Sequence, residues 1–148
     1  MGAQDPVPRR DDFPVLRHLT TRWADNDVYG HVNNVVYYAY FDTAVNGWLM
    51  DAVGTDIRLL PAIGVVAESG CRFLAPLSFP DPVTAGLRLR RLGSSSVTYQ
   101  IGLFRGDDTE PAGVGHFVHV YVDSGTRRPV PVPPAIRAAL ASLQVGAA

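Results

Sequence analysis

One ten-residue stretch, Asp25-Asn26-Asp27-Val28-Tyr29-Gly30-His31-Val32-Asn33-Asn34, gathers the groups needed to act on a carbonyl. Asp27 offers a carboxylate that can attack a carbonyl carbon or take a proton from water. Gly30 lets the backbone approach a ligand closely, because it carries no Cβ. Asn33 or Asn34 can cap a helix that starts there and keep its first N–H groups aimed outward. Those unpaired donors carry a partial positive charge that stabilises an oxyanion. Acyl transfer to water needs an activated oxygen and an oxyanion donor, and this one turn supplies both.

An aspartate at a turn is ordinary in itself, since its side chain bonds its own downstream backbone. Capping alone, however, requires neither Gly30 nor the run His31-Val32-Asn33-Asn34. His31 is either a general base or a ring that hydrogen-bonds the turn or a bound substrate. Elsewhere, Glu68 is a strand carboxylate that can line a pocket as a second acid, or simply be solvated or paired. Tyr37, with Tyr38, Tyr40 and Phe41, either lines an aromatic acyl pocket or packs a core.

Other chemistries find little support. His116 and His119 lie three apart on a strand and so point to opposite faces, and no metal site is expected. Cys71 has no histidine beside it, and a buried strand cysteine is usually inert. Ser94 to Ser96 lack the Gly-x-Ser-x-Gly elbow of serine hydrolases.

The elements that must hold this turn follow from pattern. Residues 16–24 are β-compatible, and the proline-free run from Asn34 to about Val53 predicts a helix. Its apolar positions Val35, Tyr38, Phe41, Val45, Trp48 and Leu49 recur at spacings near three and four, with Val36, Tyr37, Tyr40 and Ala44 widening the face, which predicts central burial. Residues 63–74, 83–92, 96–105 and 112–123 read as strands of an antiparallel meander, with turns at Gly93-Ser94-Ser95 and Gly106-Asp107-Asp108. Pro134 can occupy the first turn of a short helix over residues 135–143. The whole is an α+β domain over residues 14–148, an antiparallel sheet wrapped around one long helix, after a flexible leader over residues 1–13.

Composition bounds the function. The 148 residues are 47% hydrophobic and 18% charged, enough apolar surface for one core. Thirteen basic against fourteen acidic residues give a net charge of −1, so no strong attraction to nucleic acid or anionic membrane is expected. No apolar run is long enough to span a bilayer, and a cytoplasmic location is expected. With one cysteine there is no intramolecular disulfide.

The segment Trp23 to Tyr37 resembles the signature of hotdog-fold acyl-CoA thioesterases of the 4-hydroxybenzoyl-CoA thioesterase group. Glu68 to Leu77 and Arg91 to Val97 are similar to later strands of that family, so the resemblance covers about residues 16–125. It implies hydrolysis of an acyl-CoA thioester with Asp27 as nucleophile or general base. Asp25 is then structural, and the backbone amide at about Asn34 polarises the thioester carbonyl. Gly30 completes that catalytic group, while His31, Asn33, Tyr37 and Glu68 are expected to contact substrate. Arg90, Arg91, Ser95 and Ser96 are loosely matched candidates for the phosphates of CoA. No cofactor is implied beyond the CoA of the substrate. The resemblance also implies a homo-oligomer, dimer or tetramer, whose sheets pair edge to edge with sites between subunits. Where many relatives carry Glu and then Arg in the helix, this chain has Asp42-Thr43-Ala44-Val45. A catalytically silent acyl-CoA-binding module and a hydratase or dehydratase using His31 are the alternatives.

Overall fold

The chain forms β1 (Val15–Leu19), α1 (Asn34–Val53), β2 (Ala62–Phe73), β3 (Val83–Leu92), β4 (Ser96–Arg105), β5 (Gly113–Asp123) and α2 (Pro134–Leu140). This is seen in a computed structural model that describes residues 6–144. The bounds of α1 follow from its caps. The Asn33 side chain accepts a hydrogen bond from Val35 N, and Gly54, at φ 78°, closes the other end by donating its N–H to the Met50 carbonyl. Both ends fall where the sequence placed them.

Seven residues of α1 are buried, Tyr37, Tyr40, Phe41, Ala44, Val45, Trp48 and Leu49, and their three- and four-residue spacing puts them on one face. That face lies on the sheet. Val35, counted in the apolar face from sequence, is 63% exposed, and Ala39, Asp42 and Thr43 are open as well. Within one chain the helix is therefore covered on one side rather than enclosed.

The strand order is β1-β3-β4-β5-β2, antiparallel throughout. The expected meander holds for β3, β4 and β5. It does not extend to β2, which pairs with β5 and forms the far edge. The chain from Leu74 to Pro82 must therefore cross from one side of the sheet to the other, and its prolines keep it out of the ladder. The first strand is also shorter than residues 16–24. It stops at Leu19, because Thr21 turns inward to bond the Asp81 carbonyl at 2.9 Å and Trp23–Asp25 coils into a 3-10 turn.

Small residues let the helix approach. A Cβ at Gly115 would collide with the Phe41 ring, and one at Gly113 would meet Tyr37 at 3.0 Å. The two aromatic rings thus lie directly on the β5 backbone. Val83, Ala85, Leu87, Ile101, Leu103 and Phe117 complete the inner face of the sheet. Ile136, Leu140 and Leu143 are buried at the C-terminal end, where α2 packs on α1.

Of the expected leader, residues 1–5 lie outside the described residues. Arg9 to Phe13 is held on the outer face of the sheet. Phe13 sits over Gly86 and Gly102, edge-on to Phe104 with ring centres 5.8 Å apart. Arg10 donates to the Gly106 carbonyl at 2.9 Å. Among the described residues no helix is long and apolar enough to cross a membrane.

Candidate active site

The turn between β1 and α1 closes on itself. Asp27 N donates to the His31 carbonyl at 2.8 Å and Gly30 N to the Asp27 carbonyl at 3.1 Å. Gly30 has φ 81°, a left-handed conformation that a Cβ would strain. The turn is also tied to the crossing segment. Val32 N donates to the Leu77 carbonyl at 2.7 Å, Ser78 Oγ to the Gly30 carbonyl at 2.9 Å, and Phe79 N to Asn26 Oδ1 at 3.0 Å. A loop of this length would otherwise be free to move.

The two aspartates of the turn have different surroundings. Asp25 is 1% exposed. Its carboxylate accepts from the Tyr40 hydroxyl at 2.8 Å, from Arg22 N at 2.8 Å and from Arg22 Nε at 3.0 Å. Burial alone pushes its carboxyl up, but these hydrogen bonds and the guanidinium charge outweigh that and hold it below the usual carboxylate value. Asp27 is half-buried, and its Oδ1 accepts only from Tyr29 N, at 2.9 Å, among the described residues. Asp25 is built into the scaffold, whereas Asp27 keeps acceptor capacity to spare.

At the helix start, Val35 N is used by the Asn33 side chain at 3.1 Å, Val36 N by the Asn33 carbonyl and Asn33 N by the Asp25 carbonyl, both at 2.9 Å. No hydrogen bond among the described residues uses the Asn34 N–H. It is the unpaired donor at the positive end of a 20-residue helix.

Asp27, His31, Asn34 and Tyr37 share one open groove of about 410 Å³ with Phe73, Leu74, Ala75 and Pro76. Tyr37 is buried, its ring 5.0 Å from that of Phe73 and its hydroxyl 3.4 Å from the Ala75 carbonyl it bonds. The wall at Phe73–Pro76 lies in the family-like stretch Glu68 to Leu77 but was given no site role from sequence. Its signal was Pro76, which stands three residues beyond the end of β2 and keeps the chain out of the ladder there.

The other candidates lie elsewhere. Asn33 spends its side chain on the cap and does not face the groove. Glu68 points to the outer face of the sheet, where its Oε2 is 3.0 Å from His116 Nε2. The register shift between Val66 and Glu68 puts it there, since one extra residue flips the face of everything beyond it. Arg90 shares that outer surface with Glu68 and His116. Arg91, Ser95 and Ser96 sit with it at the far end of β3 and the turn into β4, about 25 Å along the strand from the crossing segment at the usual rise per residue. A single chain does not bring these residues to Asp27.

His116 and His119 occupy opposite faces, His116 outward with Glu68 and His119 inward and 2% exposed. Among the described residues no group of three His, Cys, Asp or Glu is placed to hold a metal ion. Burial pushes the Cys71 thiol up to about 12, which leaves no thiolate at neutral pH.

This arrangement can be compared with known proteins. The thioesterase-like superfamily matches residues 21–140. Among solved structures, the PA5185 protein from Pseudomonas aeruginosa strain PAO1 is 48% identical, with 97% of this chain and 100% of that chain covered and a TM-score of 0.91. A putative thioesterase from Pseudomonas aeruginosa, PA2801, is 35% identical over 86% of this chain and 98% of its own, with a TM-score of 0.79. A thioesterase from Thermus thermophilus, solved in complex with coenzyme A and Zn, is 30% identical over 90% of this chain and 96% of its own, with a TM-score of 0.75. No curated protein sequence matches the chain.

Proposed function

From a chain that belongs to the thioesterase-like superfamily, we propose hydrolysis of acyl-CoA thioesters, with Asp27 as the reacting carboxylate and the Asn34 N–H as the oxyanion donor. The observation that carries this reading is that Asp27 and Asn34, whose N–H no hydrogen bond among the described residues uses, line the same groove. The thioester carbon would sit between them. Either Asp27 attacks it, or Asp27 takes a proton from water and the resulting hydroxide attacks. In both cases the carbonyl electrons move onto an oxygen facing the Asn34 N–H, and the collapse of that intermediate breaks the C–S bond. In the first route water then hydrolyses the acyl-aspartyl anhydride. The products are the free acid and CoA, and no further cofactor takes part.

The motif around Asp27 favours the 4-hydroxybenzoyl-CoA thioesterase group within the superfamily. CoA is supported as the carrier by the Thermus thioesterase solved with coenzyme A.

We also propose that two copies pair through β2. It is the sheet's long edge strand, and residues 66–69 at its middle are all exposed, an open ladder for a second copy. Trp23, Val28, Tyr29, Val35, Phe73 and Leu74 are exposed apolar side chains around the turn, the helix start and the groove wall, the kind of surface a partner covers. The test is thiol release over a panel of short, long, branched and aromatic acyl-CoAs. Turnover supports the enzyme, and saturable binding without thiol release returns a silent binding module instead.

A further inference from the structure

A second cavity, of about 100 Å³, lies between the C-terminal half of α1, the residues Ile57–Leu60 and the start of β2. It differs from an ordinary packing gap in what faces it. His119 is 2% exposed, yet its Nδ1 has no hydrogen-bond partner. A buried polar atom left unpaired is costly and uncommon. Gly64 supplies the room in front of it, because a Cβ there would lie 3.2 Å from His119 Nδ1 and 3.3 Å from the Tyr121 hydroxyl. That hydroxyl also makes no hydrogen bond among the described residues. Asn46 lines the same space and commits its amide N–H groups to Asp42, leaving its carbonyl oxygen to accept.

The chemistry of this lining selects a ligand. Burial lowers the His119 ring to about 4, against a smaller opposing pull from Asp42, so the imidazole is neutral at pH 7. The cation at the rim, Arg58, is already engaged by Asp56 at 2.7 and 2.9 Å. A carboxylate would enter without a free counter-charge, whereas a hydroxyl can both donate and accept here. The volume admits a group of only a few heavy atoms.

Position then links the cavity to the groove. Ala62 and Gly64 in the cavity and Phe73 in the groove stand on β2, all on the helix side of the sheet. Two β2 strands paired antiparallel about a two-fold axis at their exposed middle set Phe73 of one copy opposite Ala62 of the other. That register turns the Phe73 end of each copy's groove toward the Ala62 end of its partner's cavity.

We propose that the His119 cavity of one copy receives the far end of the acyl group held at the Asp27 groove of the other, and selects acyl groups that end in a hydroxyl. This rests on the acyl-CoA reading and on the β2 pairing above. The test is calorimetric binding to Asp27→Asn protein, which separates binding from turnover. The probes are hydroxyl-ended acyl-CoAs of four to eight carbons, each against the analogue in which a methyl group replaces the hydroxyl. The expected result is that one hydroxyl-ended acyl-CoA binds about tenfold more tightly than its methyl analogue, the scale of one buried hydrogen bond. Adding either His119→Phe or Gly64→Ala, whichever folds, then brings the pair within about twofold. Equal binding of every pair, absence of acyl-CoA binding, or a preference that survives both changes overturns the proposal. Failure of the hydrolase reading looks different: the preference is present, but wild-type protein releases no thiol.

Discussion

The Tyr40 hydroxyl donates a 2.8 Å hydrogen bond to the carboxylate of Asp25, so the central helix is clamped to the first aspartate of a turn whose second aspartate, Asp27, accepts only from Tyr29 N among the described residues. The helix anchors the turn through one residue and lines a groove with the other. Tyr40→Phe removes a donor from a buried carboxylate and is expected to cost about 1.5–3 kcal/mol of stability. Chemical denaturation of wild type and variant measures this, and kcat per folded molecule should fall far less than in Asp27 variants.

The same carboxylate predicts a pH dependence of stability. Its pKa is depressed in the fold, so its contribution is complete above the unfolded value of about 3.9 and is lost as pH falls through the lower folded value. The stability gap between wild type and Asp25→Asn should therefore narrow as pH is lowered from about 5 to about 3. Urea midpoints at a series of pH values report it, and a gap that widens on acidification contradicts the assignment.

At the helix start, Asn33→Ala removes the cap on Val35 N and is expected to cost about 1 kcal/mol. Because the cap also aims the neighbouring Asn34 N–H, kcat should fall while KM changes little. Restoring a capping side chain with Asn33→Asp or Asn33→Ser should recover most of both losses.

Packing gives a prediction independent of chemistry. Gly115→Ala pushes a methyl group into the Phe41 ring, and overpacking of this kind typically costs about 1–3 kcal/mol. Gly54→Ala meets no neighbouring atom but must hold φ 78°, so its smaller loss of about 1 kcal/mol comes from backbone strain alone. Thermal melts of the two variants should rank in that order.

Much of the fold was legible because its signals are local. The limits of α1 were set by Asn33 and Gly54, and the β3–β4 turn by Gly93 and its serines. The partner of β2 was not legible, since choosing β5 over β3 depends on contacts far apart in sequence. The overrun of β1 past Leu19 came from β-compatible Thr20 and Thr21, which no local pattern distinguishes from strand residues. In the site, the grouping of Asp27, Gly30, His31 and Asn34 followed from their adjacency in the chain. The facing of Glu68 did not, because a bulge at Ala67 reverses it and a period-two pattern carries no mark of a bulge. His119 was set aside as a metal ligand, and the space that Gly64 leaves beside its Nδ1 arises only from the pairing of β2 with β5.

The most direct test of the central claim is the turnover of Asp27→Asn with the best acyl-CoA from the panel, in protein whose melting temperature and oligomeric state match wild type. Asparagine keeps the Oδ1 acceptor for Tyr29 N but removes the charge, so kcat should fall about a hundredfold or more, the usual scale for a positioned acid-base group. A folded Asp27→Asn protein with unchanged kcat would contradict the account and move the chemistry away from this turn.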